Sequence, residues 1–154
     1  MTTKAQGIER LLRLADLLET LPSNAFYIGD WKVTVEEIDK WKNWKKGKPR
    51  CGFAACACGW AIEDPWFQEQ GFAWDGEDFP TPAYRGRIGF HAAVEFFHLP
   101  DFWRASYLFD CGEAYVYEGG NPKKAIDITA DEVAAKLREE AKMMQNRTGP
   151  YAKA

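Results

Sequence analysis

Apolar residues in the first twenty-one positions recur at the spacing of one helix face, and that periodicity is what most limits the fold. Ile8, Leu11, Leu12, Ala15, Leu18 and Leu21 fall at i, i+3, i+4 and i+7, with Glu9, Arg10, Arg13, Asp16 and Glu19 between them. The pattern predicts a helix over residues 5–21, stopped by Pro22-Ser23-Asn24. Thr129-Ala130-Asp131-Glu132 has the capping-box spacing, Thr at the N-cap and Glu three residues later. It opens a terminal helix with Val133, Ala134, Leu137, Ala141 and Met144 inward. Thr34-Val35-Glu36-Glu37 repeats the box and predicts a helix over 35–44, with Val35, Ile38 and Trp41 on its buried side.

Residues 51–62 are rich in Gly, Ala and Cys, which lets a helix approach its neighbours closely, so a buried central helix is expected there. A further helix over 86–98 carries Phe90, Ala93, Val94 and Phe97 on one face, and the next carries Phe102, Ser106 and Phe109. Prolines and acids make 64–84 a long irregular loop, and Tyr115-Val116-Tyr117 and Ala125-Ile126 are candidate short strands. The expectation is a mainly α, compact single domain over residues 1–154. It has five or six helices, a long irregular loop, at most a minor β-hairpin, and a flexible tail at 146–154.

A chain of 154 residues suits one domain and buries enough surface to need neither disulfide nor metal. Hydrophobic residues at 46% and charged residues at 28% exclude bulk disorder. No apolar run reaches the ~18 residues of a membrane span, and the start of the chain lacks a signal peptide's apolar block, so a cytoplasmic setting with reduced thiols is expected. Cys51, Cys56 and Cys58 have the spacing C-x4-C-x-C, which matches no zinc knuckle, and no cofactor is expected.

The segment Cys51-Gly52-Phe53-Ala54-Ala55-Cys56-Ala57-Cys58-Gly59-Trp60-Ala61 has the pattern C-G-x3-C-A-x-G-W-A. With the Leu-rich first helix, Ala93-Val94-Glu95-Phe96-Phe97, Leu108-Phe109 and Thr129 to Ala134, it resembles small uncharacterised proteins of bacteriophage and bacterial genomes. The resemblance implies a compact phage-type or bacterial domain and carries no assigned chemistry. Some phage proteins of this size sequester nucleotide immune signals of the host, an analogy of size and setting.

Between Lys42 and Arg50 the chain has five cations and no acid, namely Lys42, Lys45, Lys46, Lys48 and Arg50. If Cys51-Gly52 opens the next helix, its unpaired N–H groups add to an anion site. Trp41 and Trp44 flank the cations and would stack a base. This reading makes the protein a non-catalytic binder that sequesters a small phosphate-containing ligand, with a nucleotide signal as the expected class and phage anti-defence as a setting. Trp41, Trp44, Lys45, Lys46, Lys48, Arg50, Cys51 and Gly52 hold the ligand, and Arg85 and Arg87 clamp it from the other side. The plainer alternative makes the lysines a solvated loop and the tryptophans core.

Charge is uneven: residues 1–50 hold ten cations and seven acids (+3), leaving ten and sixteen (−6) afterwards. That favours a local anion pocket over a track for long nucleic acid. Twenty-three aromatic residues also leave a homodimer open, and Trp66, Phe67, Trp74, Phe79 and Tyr84 make loop 66–84 a candidate protein-binding face, the reading as a protein-interaction inhibitor. The third reading is a small Cys/His enzyme with Cys51 as thiolate and His91 or His98 as base. His91, Glu95 and His98 at i, i+4 and i+7 form a weak metal alternative, with Glu–His pairing on a polar face the plainer account.

Overall fold

A computed structural model describes residues 1–45 and 47–152. The chain is mainly helical, as the periodicity predicts. Among the described residues the helices are α1 (Lys4–Glu19), α2 (Val35–Ile38), α3 (Ala57–Glu63), α4 (Pro65–Glu69), α5 (Phe90–Phe97), α6 (Phe102–Phe109) and α7 (Ala130–Asn146). Thr3 and Thr34 close capping boxes with Gln6 and Glu37, and Thr129 accepts from the Glu132 amide. The larger core joins Leu11, Leu14 and Leu18 of α1 to Val133, Leu137 and Met144 of α7 and to Phe96, Phe97, Leu108 and Phe109. Arg138 of α7 pairs with Asp16, at 2.6 Å, and with Glu19 across the α1–α7 seam.

The β-structure exceeds the single minor hairpin that was expected. Strand β1 (Lys32–Thr34) runs antiparallel to β2 (Phe53–Ala55), with Val33 opposite Ala54. Strands β3 (Ala73–Asp75), β4 (Thr81–Tyr84) and β5 (Arg87–Ile88) form a second antiparallel sheet inside the stretch read as irregular. Arg85 and Gly86 both take positive φ, 49° and 80°, the two-residue turn that suits the twist of a hairpin.

Three further expectations are corrected. Helix α2 ends at Ile38 after one turn instead of running to residue 44, because Trp41 and Trp44 turn back onto Tyr27. Residues 51–62 are not one helix: β2 precedes α3, whose N-cap is Cys56. The small residues still serve close approach, since a Cβ on Gly59 would lie 1.9 Å from the Trp31 carbonyl oxygen. Finally, the tail is anchored as far as the structure describes it. Arg147 caps α7 in a left-handed conformation, and Gly149–Tyr151 form a 3-10 turn. Tyr151 is buried and its hydroxyl donates to Glu140 at 2.6 Å; residues 153 and 154 lie outside the described residues.

Candidate functional site

The basic stretch is a loop fastened to the fold at several points. Tyr27, Trp41 and Trp44 pack edge-on with ring centroids 5.2–5.7 Å apart and cover a small second core of Val33, Ile38 and Ala54. The two tryptophans are thus half-buried packing residues, and the Trp44 indole N–H has no acceptor among the described residues. Lys45 donates to the Phe26 and Ser23 carbonyls at 2.5 and 3.2 Å, and burial lowers its pKa. Lys48 pairs with Asp39, and its carbonyl accepts from the Asn24 amide at 3.2 Å. Lys46 lies outside the described residues.

Trp41, Trp44, Lys45, Gly47 and Lys48 nonetheless line one shallow cavity of about 210 Å³ with Ile38 and Asp39. Arg50 and Cys51 are exposed beside it in the chain, in a turn that leads to β2. The expected helix start at Cys51-Gly52 is absent. Gly52 has φ +88°, and its carbonyl accepts from the Val35 amide at 3.0 Å, so it joins the two segments instead of offering an N-terminal nest. Arg85 and Arg87 belong to the β4–β5 hairpin and do not line this cavity; the Arg85 guanidinium lies over the Tyr84 ring, 5.1 Å from its centroid.

The histidine alternative fares differently from its helical drawing. His98 is the left-handed C-cap of α5, not its next turn, and its Nδ1 is 3.0 Å from the Thr2 carbonyl oxygen. His91 is exposed against the Phe102 ring at 5.0 Å. Among the described residues no three His, Cys, Asp or Glu side chains are grouped to hold a metal. The thiols also stand apart from the imidazoles in their contacts: Cys51 Sγ donates to the Phe53 carbonyl at 3.2 Å. Burial pushes the Cys56 thiol up to about 12 and raises Cys58 as well, so both stay protonated near neutrality.

The acidic aromatic loop divides into core and surface. Phe67, Phe72 and Tyr84 are buried, and Trp66 lies under the Arg13 guanidinium, 4.3 Å from its ring centroid. The β3–β4 connection is open, and Phe79 at its tip is 88% exposed. Glu77, Asp78 and Phe79 line a groove of about 610 Å³ together with Asp30, Trp31 and Glu37. Asp30 has a raised pKa because of burial first and the Glu37 charge second. Lys32, the one cation among the described residues that line the groove, is already paired with Glu63 at 2.5 Å. Asp30, Trp31 and Glu37 had no sequence signal for this site, because only the tertiary fold brings them to face a loop forty residues away.

No helix among the described residues is long and apolar enough to cross a membrane. No family model matches the chain, and neither a curated protein nor a solved structure is significantly similar to it.

Proposed function

We propose that the protein is a non-catalytic binding module that docks on another protein through the β3–β4 loop, the interaction-inhibitor reading of the aromatic loop. The observation that carries this is Phe79, 88% exposed beside a groove whose lining holds Asp30, Glu37, Glu77 and Asp78. An apolar side chain at the rim of a groove gives a partner an anchor to bury, and it is the groove beside Phe79, more than its exposure, that favours docking. The surrounding acids select a basic segment and speed its encounter at low salt. Placing a photo-crosslinking amino acid at position 79 tests this in host extract. The expected product is one adduct through a Lys- or Arg-rich peptide, weakened by salt and lost on Glu77→Lys with Asp78→Lys. No adduct beyond that of a probe at exposed Glu139, or one through an acidic peptide, would sink the reading. An adduct to a second copy of the chain would make the surface a homodimer contact instead.

A second reading, the phosphate-containing ligand, has one observation in its favour: Trp41, Trp44, Lys45 and Lys48 share one cavity. At about 210 Å³ it has room for a phosphate group more readily than for a whole nucleotide, since ligand sites usually span about 300–1,000 Å³. Releasing bound ligand by denaturation after incubation with a nucleotide mixture distinguishes sequestration from turnover. Intact nucleotide, lost on Lys48→Glu with Arg50→Glu at unchanged thermal stability, supports it. The same yield from the variant removes the basic loop from the site. A cytoplasmic, anti-defence role belongs to this reading.

A further inference from the structure

A different cavity, of about 500 Å³, lies between α6, the turn at Cys111 and Gly112, and Pro150 of the C-terminal turn. Trp103 lines it and is 76% exposed, whereas the other six tryptophans are all at least partly covered. Its neighbour Arg104 is held in one orientation from inside the protein. Glu140, which has no exposed surface, accepts from Nε at 2.7 Å and Nη2 at 2.5 Å, and the guanidinium lies 4.4 Å from the Tyr107 ring centroid. Nη1 takes no part in that pair. A buried ion pair is poor ground for stability compared with apolar packing, but it fixes a guanidinium plane well.

The charge of Arg104 is met by Glu140, and Asp101 and Glu113 also line the cavity. An anionic ligand therefore meets like charge there. We propose that this cavity binds the planar heteroaromatic ring of an uncharged ligand, of which a purine base is a common form. The ring stacks on Trp103, and Arg104, which lines the same cavity, donates to a ring acceptor. Stacking on an indole tolerates any flat ring, and the fixed donor selects those that carry an acceptor. The site is separate from the Phe79 groove, so either proposal can fail alone.

Equilibrium dialysis of the whole protein against adenosine, guanosine and adenosine 5′-monophosphate tests it. Saturable binding of at least one nucleoside at one site per chain is expected, with the monophosphate weaker because of Asp101 and Glu113. Trp103→Leu, at an exposed position, should weaken nucleoside binding by about tenfold without moving the thermal midpoint. No saturable binding to either nucleoside overturns the proposal, as does unchanged affinity in Trp103→Leu or a monophosphate that binds as well as its nucleoside. Sedimentation over a range of concentrations supplies a second arm: dimerisation abolished by Trp103→Leu would make Trp103 a self-contact and overturn it too.

Discussion

Arg104 and Glu140 form a two-point ion pair in which the carboxylate is wholly buried, while Arg104 also lines a cavity. Tyr151 donates to the same carboxylate at 2.6 Å, so one acid ties α6, α7 and the C-terminal turn together. Removing one member of such a pair leaves an uncompensated buried charge, whereas removing both does not. Arg104→Met strands the wholly buried Glu140 carboxylate and should lower the unfolding free energy by about 3–5 kcal/mol, and Arg104→Met with Glu140→Leu should recover most of it. Urea denaturation of the three proteins measures this. An equally large loss in the double variant would show that packing, not charge, is at stake.

The anchored C-terminal turn makes its own claim. Tyr151 is 7% exposed, so Tyr151→Ala should cost about 3 kcal/mol, as loss of a buried aromatic does. Tyr151→Phe removes only the hydroxyl and should cost about 1 kcal/mol. Slow amide exchange at Tyr151, whose N–H donates to the Thr148 carbonyl at 3.1 Å, is expected alongside. Exchange as fast as in a free peptide would return this segment to the flexible tail that its sequence suggests.

Gly59 and Gly52 should respond to alanine for different reasons. At Gly59 the new Cβ meets the Trp31 carbonyl oxygen at 1.9 Å and Ala55 Cβ at 2.8 Å, so α3 must move away from Trp31 and β2. Gly59→Ala should therefore destabilise by about 3 kcal/mol, the upper part of the overpacking range. Gly52 faces open space, and only its φ of +88° opposes a side chain, which should limit Gly52→Ala to about 1 kcal/mol. Thermal unfolding of both variants checks the order, and a larger loss at Gly52 would contradict it.

Stability should decline steeply in alkali. Burial raises the Cys56 thiol from 9.0 to about 12, and Cys58, Tyr115 and Tyr151 are raised by burial too. Between those limits the unfolded chain has released the Cys56 proton and the folded one has kept it, so the stability present below pH 9.0 is lost as pH approaches about 12. Lys45, lowered by burial, acts in the opposite sense, adding stability as pH rises towards 10.5. Unfolding free energy measured from pH 8 to pH 11 should fall, with a shallower slope in Cys56→Ala. An unchanged slope would remove Cys56 as a cause.

Elements whose signal is local were legible in the amino-acid sequence. Helices α1, α6 and α7 have their apolar stripes and caps within their own residues, and backbone hydrogen bonding at i→i−4 needs nothing from elsewhere. The sequence by itself therefore determined a mainly helical chain with Leu11, Leu18, Leu137 and Phe109 in its core. It also singled out the 66–84 loop and the 41–50 loop as places where aromatics and charge coincide. Only the tertiary structure decided what those loops do. Pairing of Val33 with Ala54 turned residues 53–55 into a strand, and contact with Tyr27 cut α2 short. The same pairing of distant segments set Asp30 and Glu37 beside Phe79, and folding of the C-terminal turn left Trp103 at a cavity edge. Short strands and grooves draw their stability from partners far along the chain, and a linear pattern does not name those partners.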